Sequence, residues 1–494
     1  MRSGTLLITL MLGAACATTT PLRDTRFEPI RQKLQQTVAK DELNSISVAV
    51  AIDGRIVWEE AFGYADREKK ILATPQTQYA AASITKPITA TAIMKLVDEG
   101  KLELSQPVVG ILGPISIRGG ADDASRMTVR SILHHRAGLA EQNRYYFPGE
   151  VRPPLEEILR RYAIVAHPIE EKYRYSNIGY AVLEAVIERL SGQPYATFLR
   201  ESIFTPLGMK RTSVGPATGA ATLYDPDRKP IPPYDFAARG AGWVFSTAPD
   251  LVRFGLMHLG QPLADQKPVL RESTRAQMLE DRTSTGSATG RYGLDWYCGL
   301  GICGRDETEY GYAWYGHDGG MPGGASRMKI VPSRGMVVVA LSNGRQQLTY
   351  DIVDEILDVA LPEYREKRRN DPSLRPGGPS PASTLREKIS GHWRGEIVTV
   401  SSATPLTLSI DASAARMKVG DQPECVLEEL RFGESTFEGG CRAALPLDDL
   451  PNEPYEVWLE VDLRDGALGG TLSAYTPPPL YHFLLPAYVR LQRD

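Results

Sequence analysis

Between residues 47 and 361, strand-forming patterns stand at both ends of a long helical block. At the front, SVAVAIDGRIVWEEAFG (47–63) reads as two strands around Asp53-Gly54, a dipeptide suited to a two-residue hairpin turn. At the back, RYGLDWYC, YAWYG, SRMKIVP and GMVVVALSN read as strands, and a helix is expected over about 348–361. Between them, TVRSILHH, PPLEEILRRYA, NIGYAVLEAVIERLSG and YATFLRESIF read as helices. Elements of one sheet lie together, so the two strand groups are expected to share a sheet with helices packed on it. The helical block is then an insertion, and a cleft is expected where it meets the sheet.

Residues 366–384, EKRRNDPSLRPGGPSPAST, are rich in Pro, Gly and Ser and read as a linker. From 385 to 494 short alternating runs such as YEVWLEVDL and GGTLSAY imply a small antiparallel β domain resembling a barrel. At the other end, 1–16 combine Arg2 with an apolar run too short to span a bilayer, the pattern of an export signal. Two cleavage readings stand side by side. Leu12-Gly13-Ala14-Ala15-Cys16 resembles a bacterial lipobox with Cys16 lipidated, although Gly13 replaces the usual aliphatic residue. Ala15-Cys16-Ala17 also fits ordinary signal cleavage. Both imply an exported protein, periplasmic or membrane-anchored, in a bacterium, with 17–28 as an N-terminal linker.

The five cysteines agree with export. Without Cys16 an even four remain, and two local disulfides are expected, Cys298–Cys303 and Cys425–Cys441. Neither pair has CxxC spacing and no histidine cluster accompanies them, so no metal is expected. A net charge of −4 gives no reason to expect nucleic acid or an acidic membrane surface as partner.

Ser83-Ile84-Thr85-Lys86 opens a helix expected from about Ile84 to Glu99, with Gly100 as its stop. At a helix start, residues three apart share a face, so the lysine amine can approach the serine hydroxyl. The helix N-terminus favours negative charge developing on Ser83 and disfavours the proton on Lys86. A second S-x-x-K, Ser326 to Lys329, lies in a strand pattern, where i and i+3 point to opposite faces and cannot cooperate. Ser326→Ala is therefore expected to change activity little. Tyr175-Ser176-Asn177 heads a helix, either as a turn with its cap or as a phenol and amide serving a site. WYGHDGGMPGG (314–324) is either a glycine turn or a strand edge that lets substrate approach. The aromatics of EQNRYYFPGE (141–150) either line the cleft or pack. G-x-S-x-G and HExxH are absent, which removes the α/β-hydrolase and metalloprotease readings.

In this order the three motifs resemble the serine β-lactamase and penicillin-recognising superfamily, in its class C-like branch with D-aminopeptidase and esterase relatives. TVRSILHHRAGL, the run from Tyr175 to Thr212, RGAGWVFSTAPDLVRFG and the last strands are similar to that family over about residues 30–362. The resemblance implies an α+β fold over 29–365: an antiparallel sheet flanked by helices, with a mostly helical subdomain. It implies Ser83 as acylated nucleophile, Lys86 as base assisted by Tyr175, and Asn177 and His317 as substrate-positioning residues. The N–H groups of Ser83 and of Gly320, just past Gly319, would form the oxyanion hole. No cofactor is implied, and the partner is a small-molecule ester or peptide. Where β-lactamases carry Lys-Thr-Gly, this chain carries His317-Asp318-Gly319. An imidazole titrating near 6.5 would hold a β-lactam carboxylate less firmly than lysine and read substrate charge between pH 6 and 8. Ester or D-amino-acid peptide hydrolysis is thus the expectation. β-Lactamase, D,D-carboxypeptidase and a non-catalytic sensor of cell-wall peptide are the alternatives.

Overall fold

The computed structural model describes residues 24–494 apart from 114, 116, 282, 285–295, 299–302, 306–310, 345, 362, 367–383, 452 and 478–481. The export signal with Cys16, most of the expected linker and the side chains of Cys298 and Cys303 lie outside the described residues.

The chain runs through α1 (Glu28–Ala39), β1 (Ser45–Ile52), β2 (Arg55–Asp66) and α2 (Thr85–Asp98). The helical block contains β3 (Asn143–Tyr146), α3 (Asn177–Ser191) and α4 (Ala248–Leu259). Then come β4 (Trp314–Met321), β5 (Gly324–Val331), β6 (Met336–Ser342) and α5 (Gln346–Ala360). Among the later strands are β7 (Pro454–Arg464), β8 (Ala467–Tyr475) and β9 (Phe483–Arg493).

Asp53 and Gly54 both take positive φ, 49° and 70°, so the hairpin turn has the left-handed pair that matches strand twist. β1 then lies between β2 and β6, antiparallel to both, with Val48 opposite Glu60 on one side and Ala340 on the other. First and last strands therefore share one sheet, as their patterns require. Among the described residues it has nine strands, continuing from β6 through β5 and β4 to Cys303–Arg305, Trp296–Cys298 and Thr283–Ser284. Cys298 stands opposite Cys303 in the pairing of their two strands.

β1 is buried on both faces, which explains its apolar run from Val48 to Ile52. Ile46, Val48 and Val50 pack with Phe27, Ile30 and Leu34 near α1 and with Ile352, Val353 and Ile356 of α5. Ala49 and Ala51 belong to the opposite core, shared with α2, α3 and α4. α2 is buried almost all round, from Thr85 to Met94 and at Leu96. It starts one residue later than expected, because Ala82–Ile84 form a 3₁₀ turn before it. Pro87 falls in its first turn, where an N–H has no helical partner to lose. Gly100, at φ 69°, closes it.

The C-terminal part is a second antiparallel sheet that is barrel-like and all β. β9 is central in it, between Gly391–Val398 and β8. Cys425 and Cys441 are joined by a disulfide across its outer strands. The sheet extends into the helical block: Phe483 and Leu484 of β9 pair with Arg144 and Asn143 of β3. Among the described residues no helix is long and apolar enough to cross a membrane.

Candidate active site

Ser83 sits in the 3₁₀ turn, not in α2 itself, and the turn is built with strain. Ala82 adopts φ 46°, a region that a residue with a Cβ rarely occupies and that costs of order 1 kcal/mol or more. Its neighbours hold it there. Ala81 N donates to Val244 O at 2.9 Å, and Ser326 Oγ donates to Ala81 O at 2.6 Å. β4 runs against the same turn: a Cβ at Gly319 would lie 2.6 Å from Ala81 O and 2.9 Å from Ser83 N. Only glycine lets the strand come so close to the serine amide.

Lys86 is fully buried, one turn further on. Its Nζ lies 2.6 Å from Asn177 Oδ1, 3.0 Å from Ala241 O and 3.3 Å from Ser83 Oγ. Burial lowers its pKa to about 7, opposed by the charge of Glu141. The amine also lies 4.6 Å from the centre of the Tyr175 ring. Asn177 Oδ1 and Ala241 O can only accept. A neutral Lys86 therefore gives its two N–H groups to them and turns its lone pair to Ser83 Oγ. Tyr175 OH donates to the same oxygen at 2.9 Å. Ser176 between them caps α3, accepting from Gly179 N at 3.2 Å. The cap reading of this tripeptide holds, and the residues on either side of the cap turn to Ser83 and Lys86.

His317 and Gly319 lie on β4, and the His317 and Tyr175 rings are 6.5 Å apart. His317 Nδ1 is 2.5 Å from Asp318 O, which makes that nitrogen the donor. Burial and then the Lys86 charge lower the imidazole to about 4, against that bond. The expected titration between pH 6 and 8 is therefore corrected: His317 is neutral throughout that range. Gly320 follows on the exposed side of the strand.

Ser326 and Lys329 point to opposite sides of β5, as their spacing requires. Lys329 Nζ turns to Asp354 and Tyr364, each 3.1 Å away on the α5 side. Ser326, on the other side of the strand, reaches the Ser83 turn through its bond to Ala81 O. In the 141–150 loop, Tyr145 and Tyr146 are buried. Tyr145 stacks on Phe236 and meets Tyr234 edge-on, so it packs.

Three partners of the site lie within segments named above but are not themselves singled out by the sequence. Asn143 Oδ1 accepts from Asn177 Nδ2 at 2.9 Å and fixes which end of that amide faces Lys86. Ala241 contributes only a carbonyl, and its turn is held because Gly240 N donates to the buried Glu184 at 2.7 Å. The small-residue run RGAG admits such close packing, and its segment is one of those similar to the family. His135, in HHRAGL, accepts from Ser176 N through Nδ1 at 3.1 Å and lies 4.6 Å ring to ring from Tyr175.

The family pattern described as Beta-lactamase matches residues 30–361. Penicillin-binding protein 4 of Amycolatopsis lactamdurans is 29% identical over 337 residues, which are 64% of this chain and 87% of that protein. The D-amino acid amidase of Ochrobactrum anthropi, solved with D-phenylalanine, has the same fold with a TM-score of 0.55 at 23% identity, over 67% of this chain and 99% of its own. SurE, solved with D-Leu, aligns over 95% of this chain and all of its own, with a TM-score of 0.60 at 21% identity. The SurE alignment takes in the C-terminal strands as well as the sheet and helical block. With a family match over most of its length, the chain belongs to the β-lactamase family of serine hydrolases.

Proposed function

We propose that the protein hydrolyses esters or D-amino-acid amides and peptides through an acyl-enzyme on Ser83. The observation that carries this reading is the arrangement around Lys86. Two acceptor-only oxygens take its N–H groups, and a buried amine with a pKa of about 7 faces Ser83 Oγ. Lys86 accepts the hydroxyl proton as Oγ bonds to the substrate carbonyl carbon. The carbonyl oxygen becomes an oxyanion, for which the N–H groups of Ser83 and Gly320 are the donors. Tyr175 OH, on the same oxygen, passes the proton from Lys86 to the departing alcohol or amine. Water then repeats the sequence on the acyl-enzyme and restores the Ser83 hydroxyl.

Neutral His317 supports the substrate class. A ring that carries no charge at neutral pH cannot supply the fixed cation with which Lys-Thr-Gly enzymes hold a β-lactam carboxylate. The D-amino acids named with the amidase and with SurE support D-configured substrates. We place the protein outside the cytoplasm on the strength of residues 1–16, with Cys16 as the lipid-bearing residue.

The test is mass spectrometry after a slow p-nitrophenyl ester, alongside a screen of esters, D-amino-acid amides and nitrocefin. An adduct on the Ser83 peptide, absent in Ser83→Ala, is expected. Turnover undiminished in Ser83→Ala would refute the nucleophile. Nitrocefin outrunning every ester and D-peptide would restore the β-lactamase reading.

A further inference from the structure

The C-terminal strands touch the segment that carries Tyr175. On one side, residues 174–176 are bonded to His135: Arg174 N donates to His135 O at 2.7 Å, and Ser176 N to its ring. On the other side stands β7. Its alternation puts Glu460 and Asp462 on one face, both toward Arg174. Arg174 Nη2 donates to Asp462 Oδ2 at 2.6 Å, and its Nη1 donates to Glu460. Asp462 is 6% exposed. It also accepts from Thr436 Oγ1 at 2.6 Å, Lys172 Nζ at 3.2 Å and His167 Nδ1 at 3.1 Å. Three of its four partners thus come from the stretch 167–174 that leads into Tyr175. A buried carboxylate with this many donors is rigid, and removing its charge leaves Arg174 without its full complement.

We propose that Asp462 is a positioning residue for acylation: through Arg174, the C-terminal β domain fixes the segment that presents the Tyr175 hydroxyl to Ser83. A parallel tie supports it, since β9 pairs with β3 and so holds Asn143 against Asn177. The domain is then part of the catalytic apparatus and not a spacer. The inference rests on Ser83 being the nucleophile, as proposed above.

Asp462→Asn in the full chain tests it, with Asp449→Asn as control. Asp449 belongs to the same C-terminal part and binds Arg161 and Tyr162 of the helical block, away from Tyr175. Three quantities are compared: the rate of Ser83 labelling by an uncharged fluorophosphonate, kcat and KM for an ester, and amide hydrogen exchange over 172–177. Asp462→Asn is expected to slow labelling and kcat about tenfold or more, with KM within about twofold, because a displaced catalytic group costs rate more than binding. Exchange over 172–177 should quicken in the same variant, and Asp449→Asn should show neither effect. Unchanged labelling and exchange in Asp462→Asn would overturn the proposal. So would equal losses in both variants, which would mark a general interface contribution. Should Asp462→Asn fail to fold, Arg174→Lys decides by the same measurements, since it keeps the charge and loses the two-pronged grip. A wild type that labels elsewhere than Ser83 would refute the nucleophile alone, and the exchange comparison would still decide whether Asp462 holds the segment.

Discussion

Asn177→Asp separates the basicity of Lys86 from its mere placement. The substitution is nearly isosteric and puts a carboxylate oxygen where Asn177 Oδ1 now accepts from Lys86 Nζ at 2.6 Å. Asn143 can turn its amide to donate instead of accept, so the carboxylate keeps its second partner. An opposite charge in contact raises an amine's pKa by about 1–3 units, and a rise of two would carry Lys86 from about 7 to about 9. The acting form is the free base, so activity is lost below the midpoint and regained above it. At pH 7.5 the free base would fall from about three quarters to about 3%, a loss of roughly 25-fold. Near pH 10 most of that loss should vanish. Asn177→Ala removes a bond without adding charge, and its loss should persist at every pH. The assay is the rate of Ser83 labelling by a fluorophosphonate without ionisable groups, from pH 6 to pH 10. A wild-type rate still climbing at pH 10, as for an ordinary lysine, would refute the reasoning. So would an Asn177→Asp midpoint unmoved from about 7.

Gly319→Ala should abolish labelling of Ser83 with the fold kept, because the new methyl would press on Ala81 O and the Ser83 amide; labelling within threefold of wild type, by intact-protein mass, would contradict the close approach. Burial holds Glu184 up to about 7 from 4.5, against the Arg152 charge and the Gly240 N–H. A raised folded pKa means stability that is present at low pH and lost as pH rises from about 4.5 through about 7. Glu184→Gln keeps an acceptor for Gly240 and lacks that charge, so relative to its standing at pH 4.5 it should gain roughly 3 kcal/mol on the wild type by pH 8 in denaturant titrations. A difference that does not vary with pH would sink the assignment. Matched anionic and neutral esters should keep a constant ratio of kcat/KM between pH 6 and 8, since His317 at about 4 is neutral across that window; a ratio that climbs toward pH 6 would show a charged ring. Ser326→Ala leaves the Ala81 carbonyl without its 2.6 Å donor and should lower stability by about 1–2 kcal/mol with a modest loss of rate; unchanged melting would deny that the bond holds the turn.

What the sequence reveals and conceals here follows from the range of the interaction concerned. β1 and β6 announce themselves because a strand covered on both faces is apolar at most positions, a local signature that survives without knowledge of its neighbours. Ser83 and Lys86 are three residues apart on a helical turn, so spacing alone brings them together. The Asp53-Gly54 turn is legible for the same reason. Tyr175 and Asn177 lie 92 and 91 residues from Ser83 and Lys86 in the chain, and only the resemblance of whole motifs joins them to the site.

Beyond that range the signal fails for two physical reasons. A backbone acceptor such as Ala241 O has no side-chain identity, and its role is set by the turn that Glu184 and Gly240 hold. A charge has identity but no fixed value. His317 read from sequence titrates near 6.5, and the low-dielectric cleft beside Lys86 takes it to about 4. The same burial that silences His317 makes Lys86 a base at neutral pH. Desolvation is the larger cause of both shifts at the junction of β4, α2 and α3, and the Lys86 charge adds to that of His317. Whatever opens that junction to water should return both groups toward their ordinary values together. The tie from Asp462 to Arg174 spans 288 residues and meets the chain just before α3, so no local pattern could announce it.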